Sequence, residues 1–234
     1  MKLYSAWYCP FAQRVWMALI YKQIKFEYVE IDPYQETAEW LELSKGTGQV
    51  PVIVVNEENI VDSTIILNQL DGMFPGTPSL FSTNADKKAE QVHWIDHINN
   101  NIVPYLYRYL KAYVEGKERD ESEQKLLTGL SVFSKAIDRE GPYFSGKDVS
   151  VVDFSFIPFA YRINLLLGHY RDLKLPVAGE NWQRYHQWYE TMLERPEFKV
   201  TSTDLPDYAQ RLIDVYYPYS QGEGQLDVTN TSSD

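Results

Sequence analysis

Over its first 74 residues the chain switches repeatedly between two hydrophobic periods. "KLYSAW" (2–7) and "KFEYVEI" (25–31) alternate apolar and polar positions, as half-buried strands do, and "PFAQRVWMALIYKQ" (10–23) between them carries the 3.6 period of a largely buried helix. "AEWLELSK" (38–45) reads as a short amphipathic helix and "VPVIVV" (50–55) as a buried strand. "NEEN" reads as a hairpin turn, "IVD" as its partner strand, and "STIILNQLDGMF" (63–74) as a closing helix. The order βαβ, α, ββα is that of a thioredoxin-like domain.

After "PGTPSLFSTN" the strand pattern does not return, and the remainder reads as helices. Residues 85–116 form one long helix, expected to bend near Pro104, where proline removes a ladder donor. "EGKERDESEQ" reads as a charged loop. It leads into an amphipathic helix with Leu126, Leu130, Phe133 and Ile137 on one face. "SVVDFSFIPFAYRINLLLGH" is the most apolar stretch and is expected at the centre of a helical bundle, with two further helices following it. The expected division is an α/β thioredoxin-like domain over 1–75, a linker over 76–84, an all-α domain over 85–218 and a disordered polar tail over 219–234.

With 234 residues, 44% of them hydrophobic and 15% aromatic, the chain has enough apolar surface for one large core or two smaller ones. A net charge of −11 repels phosphate backbones and anionic lipid, so neither nucleic acid nor stable membrane insertion is expected. No run of about 18 uncharged apolar residues is evident. "MKLYSAWY" reads as a strand rather than a secretory segment, and the cytoplasm is the expected location.

Cys9 is the single cysteine, so no internal disulfide can form. It stands where the first strand gives way to the first helix, at the N-cap, with Pro10 at the first helical position. Free amides and the helix dipole favour a thiolate there, and Arg14 adds a positive charge, so a lowered pKa is expected. The alternative is a buried, inert cysteine. Ala12 stands where a C-x-x-C motif has its second thiol, so a mixed disulfide on Cys9 needs an external thiol to resolve it. Two further features accompany it. "QVPVIVV" suggests a cis Pro51 exposing the Val50 backbone to an extended peptide, or a simple edge-strand proline. Asp62 and Ser63 open a helix, where they could hold a carboxylate or serve only as a cap.

"CPFAQR", "VPV" and "DS", in that order, resemble the N-terminal domain of cysteine-type glutathione transferases of the omega and lambda classes. In "SVVDFSFIP", Ser150 and Asp153 match the family's N-capping box. The resemblance covers nearly the whole chain before the tail. It implies the glutathione transferase fold and an enzyme with glutathione as co-substrate and no metal. Cys9 would form the mixed disulfide, Phe11 would flank the cysteinyl part, and Val50, beside Pro51, would pair with the peptide backbone. Asp62 and Ser63 would bind the γ-glutamyl end. Tyr8, Tyr107, Tyr161 and Arg162 are candidate acceptor-site residues, and the acceptor site depends on how "VYYPYS" closes over Cys9. The resemblance also implies a homodimer. One departure stands out: omega enzymes hold the glycyl carboxylate with a lysine before a "PEW"-like segment, but "YQETAEW" has none, and Lys45 lies later.

The leading expectation is a glutathione-dependent thiol transferase or reductase acting on glutathionylated or small hydrophobic substrates or on dehydroascorbate. The alternatives are a non-catalytic carrier of hydrophobic ligands and a chloride intracellular channel-like protein. His93 and His97 share a helical face, but the position after His93 is Trp94 and no third metal ligand is evident.

Overall fold

The computed structural model describes residues 1–35 and 37–223. Strands β1 (Lys2–Ser5), β2 (Glu27–Glu30), β3 (Val52–Val55) and β4 (Glu58–Val61) form one sheet in the order β2-β1-β3-β4. β1 runs parallel to β2 and antiparallel to β3, and β3 pairs antiparallel with β4. The parallel pair needs a crossover, which α1 (Pro10–Tyr21) supplies. The β3–β4 hairpin turns on Asn56 and Glu57, both at positive φ (49° and 67°), which matches the right-handed twist of the strands. α2 (Ala38–Leu43) starts at Thr37, whose hydroxyl accepts the Trp40 N–H, and α3 (Ser63–Met73) follows β4. Leu3 and Ser5 of β1 and Val52 and Ile53 of β3 are buried, as are Ala12, Val15, Ala18 and Leu19 of α1.

The remaining elements are helical. They are α4 (Ala85–His97), α5 (Val103–Lys111), α6 (Lys117–Ala136), α7 (Val151–Arg162), α8 (Gly168–Arg171), α9 (Glu180–Leu193), α10 (Pro196–Val200) and α11 (Tyr208–Ser220). Between α4 and α5 the backbone takes a π turn over Ile98–Ile102. Pro104 offers no N–H to the preceding turn, and the irregularity expected at the proline falls just before it as a widened turn. α6 packs closely against this turn. A Cβ on Gly129 would lie 2.3 Å from the Asn101 carbonyl oxygen, so only glycine fits there.

The charged stretch expected as a loop is instead helical from Lys117, because Glu118 and Asp120 sit in the first turn of α6, where the helix dipole favours acids. Residues 75–84 are more than a linker. The Asp71 carboxylate accepts the N–H groups of Leu80 and Phe81 and the Ser79 hydroxyl, and Lys22 Nζ bridges it (2.6 Å) to the Pro78 carbonyl (2.9 Å). Leu80 and Phe81 are thereby held in the core.

α7 is the central helix. Every residue from Val151 to Ala160 is buried, and Phe156 stacks on Trp188 of α9. A second π turn, Ile163–Leu167, joins it to α8. By length and composition the rod Val151–Arg171 could cross a membrane, with mean hydropathy 1.3, although Asp153 and Arg162 interrupt its apolar run. Packing explains its composition, because 78% of that apolar window is buried among the other helices. Asp153 accepts the Ser150 N–H (2.8 Å) and hydroxyl (2.9 Å), completing the capping box, and also takes the Phe144 N–H and the Trp188 indole N–H. α11 continues through Ser220, two residues past Pro218, where the sequence places the start of a tail. The rest of that expected tail, 224–234, lies outside the described residues.

Candidate active site

Cys9 occupies the N-cap of α1 with extended backbone (φ −80°, ψ 118°), and Pro10 follows at the first helical position. Its thiol faces the Val50 carbonyl oxygen across the β3 entry at 3.9 Å. The Val50–Pro51 peptide is cis, as expected. Asp62 caps α3, with Oδ1 accepting the N–H groups of Thr64 (2.7 Å) and Ile65 (3.0 Å). Its backbone stands at φ 74°, a conformation that costs a non-glycine residue about 1–3 kcal/mol and that clusters at ligand sites.

These residues surround a cavity of about 320 Å³ between the sheet domain and helices α5 and α11. Cys9, Phe11, Val50, Pro51, Asp62 and Ser63 all line it, as do Tyr8 and Tyr107. Tyr161 and Arg162, also expected at the acceptor site, do not. Tyr161 packs on Phe198 and Tyr208, and Arg162 is fully buried behind the cavity wall. Sequence reasoning did not single out Tyr34, Thr47, Gln49, Tyr216 and Tyr219 as site residues, although they too line the cavity. The "VYYPYS" segment was the one signal for the last two.

Arg171 explains why that segment reaches the site. This buried guanidinium donates to the carbonyls of Tyr109 (3.1 Å), Leu110 and Ser220 (2.6 Å), and so ties the C-terminal ends of α5 and α11 together. α11 then presents Tyr216, whose hydroxyl donates to the Tyr8 carbonyl (3.3 Å), and Tyr219, whose hydroxyl meets that of Tyr34 at 2.5 Å across the cavity mouth.

Two more buried arginines brace Cys9 from behind. Arg14 donates to the Ser155 carbonyl (2.7 Å) and to Asn99 Oδ1 (2.8 Å), and its guanidinium lies 4.5 Å from the Phe159 ring centroid. Asn99 in turn donates to the Thr64 hydroxyl at 3.3 Å. The first π turn therefore places Asn99 between the Cys9 helix and the start of α3. Arg162 donates to Gln13 Oε1 (2.9 Å), the Pro158 carbonyl (2.7 Å) and the Tyr8 carbonyl (2.7 Å). Among the described residues no carboxylate lies within ion-pair distance of either.

Electrostatics reverse one expectation. Burial pushes the Cys9 thiol above its ordinary value, and the pull of the Ala12 N–H, Arg162, the Phe11 N–H and Arg14 in the other direction does not overcome it. The N-cap position and the charge of Arg14 predicted a thiol below the ordinary range. Desolvation also lowers the Arg14 guanidinium to about 9 and raises the phenols of Tyr8, Tyr107, Tyr216 and Tyr219, which stay protonated at neutral pH. Lys45 is exposed and does not line the cavity. His97 contacts the Gly129 carbonyl at 3.0 Å, far in sequence from Cys9.

Comparison with known proteins bears on this arrangement. Residues 3–78 match the family model of the glutathione S-transferase N-terminal domain, and residues 116–190 match that of the C-terminal domain. Glutathione S-transferase U1 of Arabidopsis thaliana is 32% identical over 197 residues, 83% of this chain and 84% of that protein. The chloroplastic glutathione S-transferase DHAR3 of the same plant is 27% identical over 199 residues, covering 85% of this chain and 70% of that protein. The crystal structure of glutathione transferase Omega 3C from Trametes versicolor superposes with a TM-score of 0.76 at 27% identity, over 86% of this chain and 88% of that one. The chain, with its thioredoxin-like sheet domain and helical domain, belongs to the glutathione S-transferase family and is a glutathione transferase enzyme.

Proposed function

We propose that this enzyme is a glutathione-dependent thiol transferase and reductase working through a mixed disulfide on Cys9, with residues 1–75 binding glutathione and residues 85–218 supplying much of the acceptor side. The observation that carries this reading is the placement of the sole thiol of the chain at a helix N-terminus on an open cavity, beside Val50 and the start of α3. Similarity at 27% identity to a protein named DHAR3 supports the reductive direction.

In the proposed cycle the Cys9 thiolate attacks the glutathionyl sulfur of a substrate R–S–SG. The Cys9–glutathione S–S bond forms, the S–S bond between RS and that sulfur breaks, and RS⁻ leaves and takes a proton. A free glutathione thiolate then attacks the glutathionyl sulfur of the mixed disulfide, releasing oxidised glutathione and the Cys9 thiolate, so the net exchange is R–S–SG + GSH → RSH + GSSG. A serine or tyrosine in this place could only stabilise a glutathione thiolate, whereas a cysteine favours exchange. Asp62 and Ser63 hold the γ-glutamyl end, Val50 beside Pro51 pairs with the peptide, Phe11 flanks the cysteinyl part, and Tyr8 and Tyr107 face the acceptor. The enzyme acts as a homodimer, which sedimentation tests.

A second reading, non-catalytic binding of hydrophobic ligands, is favoured by the burial that raises the Cys9 thiol and by the aromatic lining. A panel comparing thiol transfer on hydroxyethyl disulfide, dehydroascorbate reduction and aromatic conjugation separates the two. Turnover of the first two that Cys9→Ser abolishes supports the transferase. Absence of turnover, together with tight binding of aromatic probes, supports the carrier.

A further inference from the structure

The cavity around Cys9 carries almost no formal charge. Among the described residues lining it there is no lysine, arginine or histidine, and Asp62 is the one acidic side chain. Arg14 and Arg162 are fully buried on carbonyl and amide oxygens of the protein, Lys111 Nζ lies 5.3 Å from the centroid of the Tyr219 ring, and Lys111 and Lys45 both lie outside the lining. The other polar side chains in the wall are neutral. They are Thr47 and Gln49 on the loop between α2 and β3, Ser63, and phenols that burial keeps protonated.

A γ-glutamyl thiol such as glutathione brings one ammonium and two carboxylates. Asp62 uses only Oδ1 for its two cap bonds, so Oδ2 can accept the ammonium. The N–H groups at the start of α3 favour the carboxylate beside that ammonium. With the γ-glutamyl end at Asp62 and Ser63 and the cysteinyl part at Val50, the glycyl end falls to the neutral side-chain amide of Gln49, since Thr47 already gives its hydroxyl proton to the Ser44 carbonyl (2.8 Å). A carboxylate held by neutral donors adds little charge selectivity, and in a chain of net charge −11 it is opposed by the field around it.

We propose that this enzyme recognises its thiol co-substrate by charge only at the γ-glutamyl ammonium, through Asp62, and tolerates loss or blocking of the glycyl carboxylate, so that γ-glutamylcysteine and glycyl-esterified glutathione serve nearly as well as glutathione. The inference rests on the thiol-transferase reading and deepens it by naming the class of thiol accepted.

The test uses the full chain with hydroxyethyl disulfide as acceptor. It compares kcat/KM for glutathione, its glycyl monoethyl ester, γ-glutamylcysteine and an analogue lacking the glutamyl amino group. The ester keeps a carbonyl oxygen to accept from Gln49 and the dipeptide keeps a carboxylate at its cysteinyl end, which predicts values within about fivefold of glutathione for both, and loss of the ion pair at Asp62 predicts a fall of about 10- to 150-fold for the des-amino analogue. The KM for glutathione should respond to salt up to about 0.3 M no more steeply than the KM for its ester, because the one ion pair, at Asp62, is common to both thiols. Gln49→Lys should supply the absent cation, making the ester a poorer substrate than glutathione and the glutathione KM more salt-sensitive than the ester's. If the wild type turns over glutathione but loses more than about tenfold on the ester, the inference is overturned while the thiol-transferase reading stands. If no γ-glutamyl thiol turns over, that reading falls and takes the inference with it.

Discussion

At the scale of the residue, Cys9 sits between opposing influences, and burial prevails. Its pKa is raised, so at neutral pH the resting thiol is mostly protonated, and each step up in pH below that pKa multiplies the thiolate. Alkylation by iodoacetamide should accelerate about tenfold per pH unit from roughly pH 6 to 8 with no plateau. A plateau below pH 8 would mean that the helix dipole and the two arginines outweigh desolvation. Asp62 gives a second prediction. Asp62→Asn keeps an oxygen to cap Thr64 and Ile65 and removes the charge. Glutathione affinity should therefore fall about tenfold by calorimetry while stability to urea changes by less than about 1 kcal/mol. Unchanged affinity would place the γ-glutamyl end elsewhere.

At the scale of the element, α7 depends on its cap. Asp153 is fully buried and accepts from the Ser150 and Phe144 N–H groups and the Trp188 indole. Asp153→Ala leaves these donors unpaired at about 1–3 kcal/mol each, with some relaxation, so urea unfolding should show a loss of about 3–5 kcal/mol. The Ser150–Asp153 spacing made this element legible in the sequence, as strand alternation did for the sheet and Cys9-Pro10 did for the start of α1. Features set by distant partners were less legible. Arg162 is an acceptor-site candidate from the resemblance, yet its bonds run to Gln13, 149 residues away, and to Tyr8, 154 residues away. Asn99 and Tyr34 carry no local motif. One reaches the site through a π turn and the other through a loop that meets α11, and neither the widened turn nor the pairing leaves a periodicity to read. The linker looked passive because its anchor, Asp71, belongs to the preceding helix.

At the scale of the whole molecule, the sheet and the helical bundle are fastened by buried polar groups. Arg14 and Arg162 link α1 to α7, and Lys22–Asp71 pins residues 78–81. Burial pushes the Asp71 carboxyl up, but the Lys22 ammonium, the Leu80 and Phe81 N–H groups and Ser79 outweigh it and leave it below the ordinary carboxylate range. A depressed folded-state pKa contributes stability that is present above the unfolded value of about 3.9 and lost as pH falls through the folded value. Unfolding free energy should therefore drop in acid. Asp71→Asn should flatten part of that drop while costing about 3 kcal/mol at neutral pH, since the buried Lys22 loses its counter-charge. An unchanged acid limb in the variant would assign the pH dependence to other carboxylates.

The central claim concerns one covalent bond, between Cys9 Sγ and the sulfur of glutathione. Intact-protein mass spectrometry after incubation with oxidised glutathione measures it most directly. The wild type should gain the mass of one glutathionyl group on the peptide containing Cys9, reduced glutathione should remove it, and Cys9→Ser should gain nothing. A folded wild-type protein that stays unmodified while its Cys9 resists alkylation across the neutral range would contradict the mixed-disulfide mechanism.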